Sequence, residues 1–387
     1  MPFEDWPIPL SELPGPRRWL QQIDDQLEHG VSCLVIVPDD FAGQDYEIFY
    51  ADLSDKLSLD QLPAGTGSAS LSEVLGEVFC LDTSLTLTTR VFRDVVDADV
   101  AGPTRILLRG WEHDLDHFIT AIPGILHERG ARRGDRSFLV VCRLQDLPDT
   151  APQRLEQPEL KVLWWWGVVG RLDTEVIISL ARGDWNETSR ATAAELVGWD
   201  LEGALALTEV WDGVSSHLSA AAASAVASAP LSRPLGSIEG AMSRVGRRPL
   251  PSHLDAWSAG HVNSWGGLLR LRLAESCSER DIARASWVAQ TRAVYPLLGV
   301  ERERIERRLR DLGDGQIEEA MSSYLSGQPD WDEANEWEFG PMLAAVKQSS
   351  YRMPRTEFEH LKLCRDIRNA IAHFRAAKPA HVDRLLS

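Results

Sequence analysis

Cys33-Leu34-Val35-Ile36-Val37 is an unbroken apolar run that stops at Pro38-Asp39-Asp40. Comparable runs follow at Ile106–Arg109 (ILLR), Phe138–Cys142 (FLVVC) and Lys161–Trp166 (KVLWWW). Between them lie helical patterns near Tyr46–Lys56 and Leu115–Arg129. Apolar strands separated by helices mark a parallel sheet covered by helices on both faces. The fold class expected for the first half is therefore α/β.

After Val176 the pattern turns helical and stays so. Leu218–Ala229 is rich in Ala and Ser, and Pro230, Pro234, Pro249 and Pro251 then prevent any long helix. From Trp257 onward the reading is all-helical, with stretches at Leu268–Leu273, Asp281–Leu298, Arg302–Leu312, Ile317–Leu325, Phe339–Ser349 and Thr356–Phe374. Four segments result: an N-terminal extension (1–29), an α/β module with trailing helices (30–230), a Pro/Gly-rich linker (231–256) and an all-α helical bundle (257–387). Within Trp164-Trp165-Trp166, strand alternation places the outer two rings in one core layer and the middle ring on the other face.

Composition narrows the function. With 387 residues, 44% hydrophobic and 25% charged, the chain is globular. The longest apolar run, Val162–Gly170, is about half of what a membrane span requires. The start, MPFEDWPIPL, has no basic secretory leader. Cys33, Cys80, Cys142, Cys277 and Cys364 stand far apart, which reads as reduced thiols in a cytoplasmic protein. The net charge of −18 argues against broad duplex binding, since that is driven by phosphate neutralisation. Tyr351–Ser387 reverses the balance with eight Lys and Arg against four Asp and Glu, so this end is where any nucleic acid would bind.

A phosphate-binding loop should follow the first strand as G-x-x-x-x-G-K-[ST]. In its place stands Pro38-Asp39-Asp40-Phe41-Ala42-Gly43-Gln44-Asp45, with three carboxylates and no Lys. Such a fold's third strand should end in acid, and Ile106–Arg109 runs into Gly110-Trp111-Glu112-His113-Asp114, where acid is present but displaced. This order of strand and loop, strand and acid, long helix, and strand with Arg143 resembles a degenerate STAND-type P-loop NTPase module over roughly residues 20–215. The resemblance implies a nucleotide fold, and the acidic loop implies no NTP hydrolysis. A flavodoxin-like sheet is the alternative. His113 and His117, four apart among acids, read as a solvated helix start.

The chemistry concentrates in Leu361-Lys362-Leu363-Cys364-Arg365-Asp366-Ile367-Arg368-Asn369-Ala370-Ile371-Ala372-His373-Phe374. Arg368 and His373 make R-x4-H, with polar Asn369 after the Arg and small Ala372 before the His. R-x4-H also occurs at Arg248 with His253 and at Arg355 with His360, and the longer R-x5-H at Arg247 with His253 and at Arg375 with His381. Prolines interrupt all of these except Arg355…His360, which lacks the Asn and has Glu359 before the His. The Arg368–His373 stretch resembles the signature helix of HEPN domains. Trp287–Leu298 followed by Glu301-Arg302, and Trp337-Glu338-Phe339-Gly340, resemble other helices of HEPN domains attached to STAND-like modules. The likeness covers about residues 257–380.

At 100° per residue, Arg368 falls within the apolar arc of Leu361, Cys364, Ile367 and Ile371, and His373 lies about 140° from it. Such an Arg must be paired, with Asp366 or Glu338 as candidates, or must face an interface or ligand. Two antiparallel copies could focus both residues on one phosphate. Asn369, four residues before His373, could fix its tautomer.

The resemblance implies a metal-independent endoribonuclease effector of a bacterial antiphage system. Arg368, His373 and Asn369 would be its catalytic residues and RNA its substrate. The expected partners are a second copy or another HEPN protein, and defence-system proteins. No cofactor, metal site or membrane is expected, and no His/Cys set was expected at metal spacing. Two alternatives stand beside it: a non-catalytic scaffold that docks an ATPase or nuclease, and a nucleotide or second-messenger sensor in the first half.

Overall fold

A computed structural model describes residues 6–40, 44–61, 71–81, 88–97, 104–108, 118–120, 123–125, 127, 136–147, 160–228, 241–312, 315–326 and 337–386. The five strands β1 (Cys33–Val37), β2 (Asp60–Gln61), β3 (Arg105–Leu108), β4 (Ser137–Arg143) and β5 (Lys161–Trp164) form one sheet in the order β2-β3-β4-β1-β5. All pairings are parallel, with Cys33 opposite Leu139 on one side and Lys161 on the other. Every residue of β1 is buried, which accounts for its continuous apolar run. The helices α1 (Pro14–Glu28), α2 (Gln44–Lys56), α3 (Leu71–Val78) and α4 (Thr88–Asp97) accompany the sheet. Tyr50 of α2 donates from its hydroxyl to Val141 O of β4 at 2.8 Å. Phe92, Phe118 and Phe138 meet edge to face, with centroids 5.6 to 6.1 Å apart.

The chain continues through α5 (Arg171–Ala181), α6 (Glu187–Val197), α7 (Leu201–Val210), α8 (Leu218–Ser228), the short α9 (Leu254–Ser258) and a hairpin of β6 (Val262–Trp265) with β7 (Leu268–Leu271). Then come α10 (Glu279–Ala293), α11 (Tyr295–Leu312), α12 (Gln316–Leu325), α13 (Phe339–Gln348), α14 (Arg355–Ala372) and α15 (Pro379–Leu386). Two compact units emerge. One comprises the described residues within 1–177, 198–202 and 231–275; the other those within 178–197, 203–230 and 276–387. This interleaving differs from the contiguous segments expected. The sheet unit includes α1, inside the expected 1–29 extension, and the hairpin, inside the expected 257–387 bundle. Helix α6 packs on α10 within the second unit.

Several expectations need correction. Leu268–Leu273 is not helical: Gly266 and Gly267, at φ 61° and 77°, make the two-residue turn of a hairpin, which needs positive φ at both positions. Asp281–Leu298 is two helices, parted at Val294 two residues ahead of Pro296, and the second absorbs Arg302–Leu312. Strand β5 ends at Trp164, so the tryptophans do not alternate as expected. Trp165 and Trp166 are both buried, Trp165 edge-on to Trp19 at 5.1 Å, while Trp164 is half-buried against Trp257. All three serve the core of the sheet unit. The segment Gly110–Asp114, His113, His117 and the linker residues 231–240 lie outside the described residues. Among the described residues, no helix is long and apolar enough to cross a membrane.

Candidate functional site

Two places bear on function. In the sheet unit, β1 ends where an open parallel sheet offers its ligand crevice. Asp39 and Asp40 occupy that turn, and both are already engaged. Ser258 donates its hydroxyl to Asp39 Oδ2 at 2.5 Å, and Gln145 donates its backbone N–H to Asp39 Oδ1 at 3.0 Å. The Asp40 amide donates to Ser258 O at 2.9 Å. Arg272 reaches Asp40 at 3.1 Å and Asp200 at 3.5 Å, and also binds Glu202. Asp200 is buried and accepts from the Leu273 amide at 3.1 Å. Gly260 closes over Asp40: a Cβ there would lie 2.2 Å from Asp40 Oδ2, and its φ of 71° also favours glycine.

Trp6, Trp165 and Trp199 line a cavity of about 90 Å³ beside Asp40, Asp200, Glu202 and Arg272. Burial raises the carboxyl pKa of Asp40 and of Glu202 above the ordinary range. Burial works against the Arg272 guanidinium, yet Asp200, Asp40 and Glu202 together hold its pKa above the usual value. This cluster of three acids and one base repels phosphate.

The second place is the end of α14. That helix buries Leu361, Leu363, Cys364, Ile367 and Ile371, each fully buried aliphatic contributing about 1.5–3 kcal/mol. It stops at His373, and Phe374 turns left-handed at φ 57° so that Arg375 N can bond to Ala370 O at 3.0 Å. All three sequence-selected residues lie on this terminus. Arg368 Nε stands 3.3 Å from Glu338 Oε2, and its Nη1 donates to Asn369 Oδ1 at 3.3 Å. Glu338 was one of the two expected partners for this Arg; Asp366 instead binds Arg365. Asn369 accepts at its amide oxygen from Arg368, and no hydrogen bond joins it to the imidazole. The ring of His373 is exposed and makes no hydrogen bond among the described residues.

The other quoted stretches converge on the same terminus. Trp287 donates from its indole to Ile371 O at 2.9 Å and packs on Phe374 with ring centroids 5.4 Å apart. Gln290 is buried and pairs twice with Ala377, donating to its carbonyl at 3.2 Å and accepting from its amide at 2.6 Å. Glu338 precedes α13 and holds Arg368. The competing pair Arg355…His360 has its imidazole engaged elsewhere: His360 Nε2 lies 2.7 Å from Glu301 Oε2 and 3.5 Å from Cys364 Sγ.

The cluster of Glu301, His360 and Cys364 escaped the sequence reading. Its signal was present in His360-x3-Cys364, since a four-residue spacing puts both side chains on one helical face. Glu301 comes from α11 and could not be read from that spacing. No protein-family model matches the chain, and no curated protein matches it.

Proposed function

We propose that the second unit is a HEPN-type endoribonuclease half-site, completed by a second copy of α14 or by another HEPN protein. The observation that carries this reading is the convergence of Trp287, Gln290, Glu338, Arg368 and His373 on one exposed helix end. In the completed cleft His373 takes the proton of a ribose 2′-OH or gives one to the leaving 5′-oxygen, and Arg368 stabilises the charge of the phosphorane-like transition state. Attack by the 2′-oxygen forms a 2′,3′-cyclic phosphate as the bond to the 5′-oxygen breaks. Proton transfer and charge stabilisation both come from side chains, so the reacting phosphate needs no metal. The sheet unit acts as a degenerate STAND-like module that regulates without hydrolysing nucleotide. The natural setting of such an effector is bacterial antiphage defence.

A second reading has its own support. Arg368 is already paired with Glu338, which suits a non-catalytic subunit that docks a partner ATPase or nuclease. The test is RNA cleavage by the purified full chain, alone and with a trigger such as phage lysate. Cleavage lost in both His373→Ala and Arg368→Ala, absent on RNA with 2′-hydrogen, and yielding cyclic phosphate ends supports the half-site. Growth arrest or phage protection that persists in His373→Ala supports docking instead.

A further inference from the structure

The geometry points to a zinc site formed by Glu301, His360 and Cys364, partly buried in the helical unit and separate from the Arg368–His373 terminus. The donor atoms Oε2, Nε2 and Sγ all lie within 4.8 Å of one another. Tetrahedral zinc with bonds of about 2.3 Å to sulfur and about 2.05 Å to nitrogen places those two donors about 3.6 Å apart. His360 Nε2 and Cys364 Sγ are already separated by 3.5 Å. The nitrogen–oxygen edge of the same tetrahedron is about 3.4 Å, against the 2.7 Å hydrogen bond present. Opening that one contact by less than 1 Å is a side-chain adjustment of Glu301. His360 and Cys364 stay fixed by the helix that carries both.

The chemistry of the three donors agrees. Carboxylate, imidazole and thiolate form the mixed O, N and S set that zinc accepts, and a metal of purely hard preference would reject the sulfur. Cys364 is a free, buried thiol, and zinc takes cysteine only after its S–H proton has left. A zinc ion displaces that proton, and the Nε2–H proton that points at Glu301 shifts to Nδ1 of the same ring, so one net proton leaves to solvent for each metal bound. Thiolate and carboxylate then cancel the double charge of the ion, while His360 binds as neutral imidazole. Arg304 contacts Glu301 Oε2 at 2.7 Å, and becomes the outer partner that orients the ligating carboxylate.

Three protein donors leave the fourth position to water. His360 lines a cleft of about 150 Å³ with Arg304, Arg308, Met353 and Thr356, which supplies room for it. The ion would tie α11 to α14 one turn before Arg368. Its role is therefore to anchor the helix that carries the candidate RNA site, and the inference stands whether or not that site cuts RNA.

The test is titration of the tag-free, metal-stripped full chain with cobalt(II), followed by competition with zinc. One cobalt per chain should bind with a near-ultraviolet thiolate-to-cobalt charge-transfer band. Zinc should abolish the band and raise the melting temperature, and binding in buffers of different ionisation enthalpy should release one proton. The band should vanish in Cys364→Ser and His360→Gln, weaken in Glu301→Gln and survive in Cys277→Ser. A wild-type chain with no band at saturating cobalt overturns the proposal irrespective of how any variant folds. So does a band retained at full strength in Cys364→Ser.

Discussion

The end of β1 and the end of α14 are the two places where a ligand-binding loop or helix was expected, and they are built in opposite ways. At the first, the charged groups named are bonded to residues of their own unit: Asp39 to Ser258 and Gln145, and Asp40, Asp200 and Glu202 to Arg272. At the second, the imidazole is exposed and the guanidinium holds the Glu338 carboxylate and the Asn369 side-chain amide. Saturated charge is structural, because a ligand must break bonds to enter. An exposed imidazole can meet a phosphate without breaking a bond within the protein. The difference sets a turn whose acids are neutralised within their own unit apart from a helix end whose imidazole faces water.

Substituting the arginine at each place should break the comparison most visibly. Arg272→Met leaves Asp40, Asp200 and Glu202 without their cation and should destabilise the protein by about 3 kcal/mol or more, read from urea melts. Arg368→Ala removes a half-exposed pair and should cost under about 1 kcal/mol. Any RNA cleavage, however, should fall by roughly 10²-fold or more in that variant and in His373→Ala. Equal stability losses at the two sites would erase the distinction.

Nucleotide turnover probes the saturated end alone. The purified chain should release no phosphate from ATP or GTP with magnesium, because Asp39 and Asp40 hold the turn where a phosphate would sit. Magnesium-dependent release that persists through repurification would mean that this turn opens.

A pH series sharpens the same contrast. Burial raises the Asp40 carboxyl, Asp200 adds to the rise, and Arg272 offsets part of it. The folded chain thus keeps a proton that the unfolded chain loses near pH 3.9. The stability contributed by that proton is full below this value and disappears as pH rises through the folded value. Asp40→Asn does not titrate, so its stability relative to wild type should improve from pH 4 to pH 8. A relative loss over that range would show that attraction to Arg272 outweighs burial.

The smallest effect belongs to Phe374, left-handed at φ 57° and 78% exposed. Phe374→Gly should exceed Phe374→Ala in stability by about 1 kcal/mol, since both lose the Trp287 contact but only glycine relieves the backbone. Equal thermal midpoints would mean that the helix end relaxes in solution.

The strands of the sheet were legible because burial on both faces writes a continuous apolar run, and Cys33–Val37 is entirely buried. Strand β2 was not, since two residues carry no period. The β6–β7 hairpin had its signal in Gly266-Gly267, but the apolar stretch Leu268–Leu273 was read at the helical period. At the candidate site Arg368, Asn369 and His373 were found by local spacing, and Glu338 was named as a partner for the arginine. The double pairing of Gln290 with Ala377, 87 residues away, and the recruitment of Glu301 to His360 are tertiary choices that no local pattern encodes.

The Gln290–Ala377 pairing narrows what position 290 can accept. A side chain there must offer one donor and one acceptor in a plane, at the reach of three carbons from the backbone. Glutamate matches the shape but sets an oxygen against the Ala377 carbonyl, lysine brings no acceptor, and asparagine falls one methylene short. A single exchange of nitrogen for oxygen, the outcome of amide hydrolysis, would unlatch the segment that follows His373 without altering the volume of the core.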